Sequence, residues 1–105
     1  MTVGFDSFTG ASGITNDPCA EFVQVAVWHI QHDPTLACAR SIGTNVALYA
    51  AHLLRVHDGR MNMTTLCGTI CAALHMRYNT VRANVEWFVR EGWLDSTGGV
   101  ISWAE

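Results

Sequence analysis

The sequence predicts a mainly helical α+β domain in which two short helices joined by a tight turn are followed by a β-hairpin. Three observations carry this. Within residues 70–94, apolar side chains fall at Ile70, Ala73 and Leu74, break from His75 to Arg77, and resume at Val81, Val85, Phe88 and Val89, which makes two helical periods separated by a turn. Gly92 stands where the second helix should end. A run from Trp93 and Leu94 reaches Thr97-Gly98-Gly99 and resumes from Val100 to Trp103, two strands with glycine at the turn. Helix, turn, helix and hairpin in that order make a winged helix-turn-helix, here with two to three extra helices on its N-terminal side.

The preceding elements follow in order. Residues 1–16 are rich in Gly, Ser and Thr, show no period, and are expected to form a flexible N-terminal arm. Asp17-Pro18 is a helix start, an N-cap followed by a first-turn proline, and the helix should run to about Gln31. Its apolar residues Phe22, Val23, Val25, Ala26, Val27, Trp28 and Ile30 cover more than one face, so it is expected to be sandwiched within the domain or against a second copy. Asp33-Pro34 repeats the start signal and predicts a short helical turn to Arg40. A longer helix is expected from Ser41 to Val56, with Ile42, Val46, Tyr49, Ala50 and Leu53 on one stripe, closed by His57-Asp58-Gly59. Residues 60–63 alternate as a short strand that would pair with the hairpin, after which Thr64 or Thr65 is expected to cap the next helix. The reading is therefore one domain over residues 17–105, with N-terminal helices at 17–57 and the helix-turn-helix and hairpin at 60–105.

At 105 residues the chain is long enough for a single modest core, and with half its residues hydrophobic and 14% charged it is not a disordered sequence. No apolar run approaches the roughly 18–20 residues of a membrane span, and the N-terminus has neither the basic start nor the apolar core of an export signal, so a cytoplasmic protein without a membrane partner is expected. Cys19, Cys38, Cys67 and Cys71 are then read as reduced thiols. The net charge of −3 is unevenly spread: residues 1–58 carry two arginines against five acids, and residues 59–105 carry four against four. There is no lysine, so phosphate contacts would have to come from arginine, histidine, hydroxyl, amide and backbone N–H groups.

Residues 70–94 resemble the winged helix-turn-helix of the MarR and ArsR families of bacterial transcription regulators. Ile70-Cys71 stand where those families place a leucine-alanine pair, Asn79-Thr80-Val81 where the second helix begins, and Phe88 with Gly92-Trp93-Leu94 where it closes. The match covers about a quarter of the chain, or about two fifths with the hairpin and the segment before the motif. It implies sequence-specific binding to double-stranded DNA, with helix 78–91 in the major groove. Carried over position by position, the DNA-facing residues are Arg77, Tyr78, Asn79, Thr80, Arg82 and Ala83, with Glu86 one turn further on. Arg82 suits a guanine, Asn79 an adenine, and Tyr78 and Thr80 phosphates. The hairpin tip, residues 95–99, lacks the basic residue those families usually place there. MarR proteins dimerise through C-terminal helices for which the chain offers no counterpart, so residues 17–57 are expected to form the contact of a homodimeric repressor, with half-sites roughly 34 Å apart.

Other candidate sites weigh less. Cys67, Cys71 and His75 are spaced i, i+4, i+8, and His29 and His32 i, i+3, but the former thiols read as buried packing groups and the latter histidines as surface polar residues, so no metal site is expected. Trp28, Trp93 and Trp103 read as core or interface residues, while Trp87 falls toward the outside of its helix and needs a cover. No phosphate loop, carboxylate pair or nucleophile motif is present, so neither an enzyme nor a cofactor is expected. The competing expectation is a winged-helix protein–protein interaction module, an adaptor or inhibitor that does not bind DNA.

Overall fold

A computed structural model of the chain describes residues 17–33 and 40–104, so the N-terminal arm and the helical turn expected after Asp33 lie outside the described residues. The elements run α1 (Pro18–His32), α2 (Arg40–Val56), β1 (Arg60–Asn62), α3 (Met63–Leu74), α4 (Tyr78–Arg90), β2 (Leu94–Thr97) and β3 (Val100–Trp103). The chain is thus mainly helical, with a small antiparallel sheet of order β1-β3-β2. No helix among the described residues is long and apolar enough to cross a membrane.

Local chemistry sets the helix ends. Asp17 caps α1, its carboxylate accepting from the Cys19 N–H at 3.0 Å with Pro18 in the first turn. The cap of α3 is Asn62, whose side chain accepts from the Thr64 N–H at 2.9 Å. Neither Thr64 nor Thr65 does this: the last strand residue is itself a good capping residue, so the helix starts without a linker. After α2 the chain reverses through Asp58 and Gly59, both at positive φ, and the Gly59 N–H returns to the Leu54 carbonyl at 2.6 Å.

α1 and α2 lie antiparallel. Cys19 at the start of α1 donates through its thiol to the Ala51 carbonyl at 3.7 Å, while Gln31 at its end donates to Thr44 at 3.1 Å. From Gly43 to Ala51 the buried side of α2 is made of small residues, Gly43, Val46, Ala47, Ala50 and Ala51, against which α1 sets the larger Phe22 and Ile30, and the buried Leu53 and Leu54 follow near its C-terminal end. Ile42 and Tyr49 of the expected stripe stand at its margin, Ile42 exposed and Tyr49 half-buried.

Of the many apolar residues on α1, Cys19, Phe22, Ala26 and Ile30 are buried and Val23 and Val27 half-buried. Val25 stays 38% and Trp28 57% exposed. The domain itself covers one side of α1 and leaves that pair in solvent.

The rest of the core joins α3 (Leu66, Cys67, Ile70), α4 (Val81, Val85, Phe88) and the inner face of the sheet (Met61, Leu94, Ile101). Met61 pairs with Ile101, and Leu94 with Trp103, which puts Trp103 on the same inner face, half-buried beside Phe22. At the hairpin tip, Gly98 and Gly99 both have positive φ, the requirement of a two-residue type I′ turn, which matches the strand twist. The Gly99 carbonyl accepts from the Met63 N–H at 2.8 Å, tying the tip to the start of α3.

Candidate nucleic-acid interface

The site is built on the turn between α3 and α4. α3 closes at His75, which takes the left-handed conformation (φ 56°) and returns its N–H to the Cys71 carbonyl. The Cys71 thiol then donates to the Met76 carbonyl at 2.8 Å, so this half-buried cysteine pins the turn. Arg77 is the N-cap of α4 and no side chain caps that end; the Thr80 and Val81 N–H groups return to its carbonyl. The N–H groups of Tyr78 and Asn79 at the head of α4 are thus left without a side-chain cap, next in sequence to the exposed Arg77.

α4 divides cleanly by its 3.6-residue period. Val81, Val85 and Phe88 are buried, and on the opposite arc Asn79, Arg82, Ala83, Glu86 and Arg90 are all exposed. Of the residues expected to face DNA, the structure brings Asn79, Arg82 and Ala83 onto that arc and sets Arg77 at its head. Tyr78 and Thr80 flank it and are half-buried: Tyr78 packs against the core, and the Thr80 carbonyl accepts from the Asn84 amide at 2.8 Å.

Two features change the electrostatics of this face. The Arg82 Nε donates to Glu86 at 3.1 Å, and both side chains are 46% exposed. That hydrogen bond, reinforced by the Tyr78 hydroxyl, holds the Arg82 guanidinium further above its ordinary range, so it stays a cation. Arg90 stands two turns beyond Arg82 on the same row. Between α4 and the hairpin runs a groove of about 470 Å³ lined by Arg82, Glu86 and Arg90 on one side and by Met63, Ser96 and Gly99 on the other. The sequence reading stopped at Glu86 and missed Arg90, although the spacing 82, 86, 90 repeats every helical turn. The hairpin contributes hydroxyls and backbone and no cation; at its tip Thr97 donates to the Asp95 carboxylate at 3.2 Å.

The sulfur and imidazole groups are dispersed. Cys67 is fully buried, and burial pushes its thiol pKa up to about 11, which makes it a packing group and a poor nucleophile. His75 has left the helical path, so Cys67, Cys71 and His75 do not share one face, and among the described residues no three His, Cys, Asp or Glu side chains are grouped to hold a metal ion. Trp87 is half-buried against Trp93, just beyond α4, which it meets edge to face at 5.2 Å, and Trp93 in turn is stacked by His29 of α1 at 5.2 Å. Trp93 is itself half-buried, and its neighbour Leu94 is the residue that enters the core.

Comparison with known protein families, characterised proteins and solved structures finds no match to this chain.

Proposed function

We propose that the protein is a winged helix-turn-helix transcription regulator, similar in kind to those of the MarR and ArsR families, that binds double-stranded DNA and reads the major groove with α4. The observation that carries this is the exposed arc of α4. Asn79, Arg82, Ala83 and Arg90 project from a helix whose other side is buried, beside an antiparallel hairpin and directly after a tight turn headed by Arg77. Arg82 would read guanine through two parallel hydrogen bonds and Asn79 would read adenine. Arg77, Arg90 and the hydroxyls of Tyr78, Thr80 and Ser96 would hold phosphates and set the register. With few cations and an acidic wing, the affinity is modest for one copy, which favours two copies on one operator.

The homodimer contact would lie in residues 17–57, as a repressor with a two-fold operator requires. Leu48 and Val56, both exposed, face away from the buried side of α2 with Ile42 at its margin, and a symmetric pairing there would present two α4 helices to half-sites roughly 34 Å apart. Such a regulator works in the cytoplasm and needs neither cofactor nor catalytic residue.

The deciding experiment is fluorescence anisotropy of the full chain with random-sequence duplex DNA at about 50 and 200 mM salt, together with its mass in solution. Binding that weakens steeply with salt, by a dimer, supports the regulator. Absence of binding at the lower salt overturns it in favour of the protein-docking module, a reading supported by the exposure of Val25 and Trp28 on α1.

A further inference from the structure

The outer side of α1 carries a continuous apolar strip. A hollow of about 310 Å³ opens at its head, between Pro18, Phe22 and Val25 of the helix and Trp93 and Ala104, which flank the hairpin. Another, of about 470 Å³, continues along α1 between Gln24, Val25, Trp28 and His29. Val25 lines both, and Glu21 is the only acid or arginine among their described lining residues. His32 lies on the Trp28 ring at 4.3 Å and His29 meets it edge to face at 5.1 Å, yet Trp28 stays 57% exposed. Water therefore meets apolar surface at Val25 and Trp28, on a helix whose other side is packed.

Two exposed apolar side chains fall far short of the roughly 800 Å² per partner that a stable interface between separate chains buries. They suit a segment already tethered beside them, for which the effective concentration is of millimolar order. Residues 1–16 lie outside the described residues and join the strip at Asp17, the N-cap of α1. They carry Phe5, Phe8 and Ile14 and a single charged side chain, Asp6. Phe5 and Phe8 are three residues apart and share one side of an extended chain with three residues per turn. Gly13, four residues before Asp17, allows such a chain to reverse. At about 3.1 Å per residue, the return from Gly13 brings Phe8 back to the head of α1 and sets Phe5 about 12 Å past it. Val25, eight residues beyond Asp17, stands about 12 Å along the helix, with Trp28 on the next turn. We infer that the outer face of α1 is the docking site of the chain's own residues 1–16, with Phe8 at the first hollow and Phe5 on Val25 and Trp28. The inference does not rest on DNA binding by α4. A covered α1 would remove the exposure that favours the protein-docking module.

The test is nuclear Overhauser spectroscopy on the full-length protein, with a second sample that mixes isotope-labelled and unlabelled chains. Contacts from the Phe5 ring to the Val25 methyls and the Trp28 indole, and from Phe8 to Pro18 or Phe22, are expected within a chain and not between chains. Phe5→Ser combined with Phe8→Ser should abolish them, shift the Trp28 indole N–H resonance and open it further to a soluble gadolinium chelate. The methyl resonances of Val81 and Val85, buried in the core, should stay in place and report that the variant is folded. Contacts found only between labelled and unlabelled chains would make the occupant a second copy and overturn the assignment. Absent contacts, or a Trp28 resonance and exposure unchanged by the double substitution, would overturn it as well and leave the face to another protein.

Discussion

Arg82 and Glu86 form an ion pair at 3.1 Å on the exposed face of α4, the face that the proposed function sets against DNA bases. The pair is solvent-exposed, so it restrains Arg82 weakly, yet it puts a carboxylate where phosphate or a base edge would come. If α4 enters the groove, Glu86→Gln should tighten DNA binding roughly three- to tenfold at low salt by releasing Arg82 and removing the repulsion. Anisotropy titration checks this; unchanged affinity would mean that DNA does not approach this arc.

Arg82 and Arg77 should differ in kind. Under the proposed function Arg82→Ala is expected to lower affinity and relax discrimination at one base pair, because the partner proposed for it is a base edge. Arg77→Ala is expected to lower affinity on all sequences and to reduce the salt slope by about one. Competition against operator variants at fixed salt separates the two, and identical behaviour would refute the assignment.

Two glycines should respond in opposite directions to alanine. At Gly43, within α2, an added Cβ would meet Ile30 at 3.5 Å and Asn84 at 3.6 Å, ordinary contact, so Gly43→Ala should stabilise by about 0.5–1 kcal/mol through reduced unfolded-state freedom. At Gly59, with φ at +88°, the Cβ would come within 2.9 Å of the Trp103 ring, so Gly59→Ala should destabilise by about 1–3 kcal/mol. Urea unfolding midpoints report both.

Phe88 is the hinge of the core. It is fully buried, meets Phe22 of α1 edge to face at 5.7 Å, and lies within 6 Å of the Trp87 and Trp93 rings. Phe88→Ala should cost about 3–5 kcal/mol, a large share of the stability of a domain this size. A thermal midpoint lowered by less than about 5 °C would show that α1 and α4 are held together by other contacts.

Cys67 links stability to alkaline pH. Its folded pKa of about 11 lies above the ordinary 9.0, so the folded state holds the proton more tightly than the unfolded chain does. The stabilisation is fully present below pH 9.0 and is lost as pH rises toward and through about 11. Urea midpoints should fall across that window in the native protein and fall less in Cys67→Ala. The thiol should also resist a disulfide reagent at pH about 8 until the protein is unfolded.

Much of the element order was legible in the residues because its causes are local. Asp17 before Pro18 starts α1 through a hydrogen bond two residues long, and Gly98-Gly99 make the hairpin turn because both positions need positive φ. The exposed arc of α4 follows from a period that any helix imposes, and one further turn of that period reaches Arg90. The alternation of residues 60–63 also carried the cap Asn62, hidden because a strand and a helix start share it.

What only the tertiary structure decided is which side of each element meets protein and which meets water. Residues on α1 that look alike in sequence are sorted by a partner helix of small residues: Ala26 and Ile30 enter the seam, while Val25 and Trp28 stay out. Trp93 and Leu94, adjacent in sequence, divide between the surface and the core because successive side chains at the strand start face opposite ways and only one direction has the core behind it. A hollow walled by the indoles of Trp28, Trp87 and Trp93 gathers residues from positions 28 to 93, and no local rule relates them. Backbone sterics and capping act over a few residues and can be read from them; burial depends on what the rest of the chain brings alongside, and that exists only once the chain is folded.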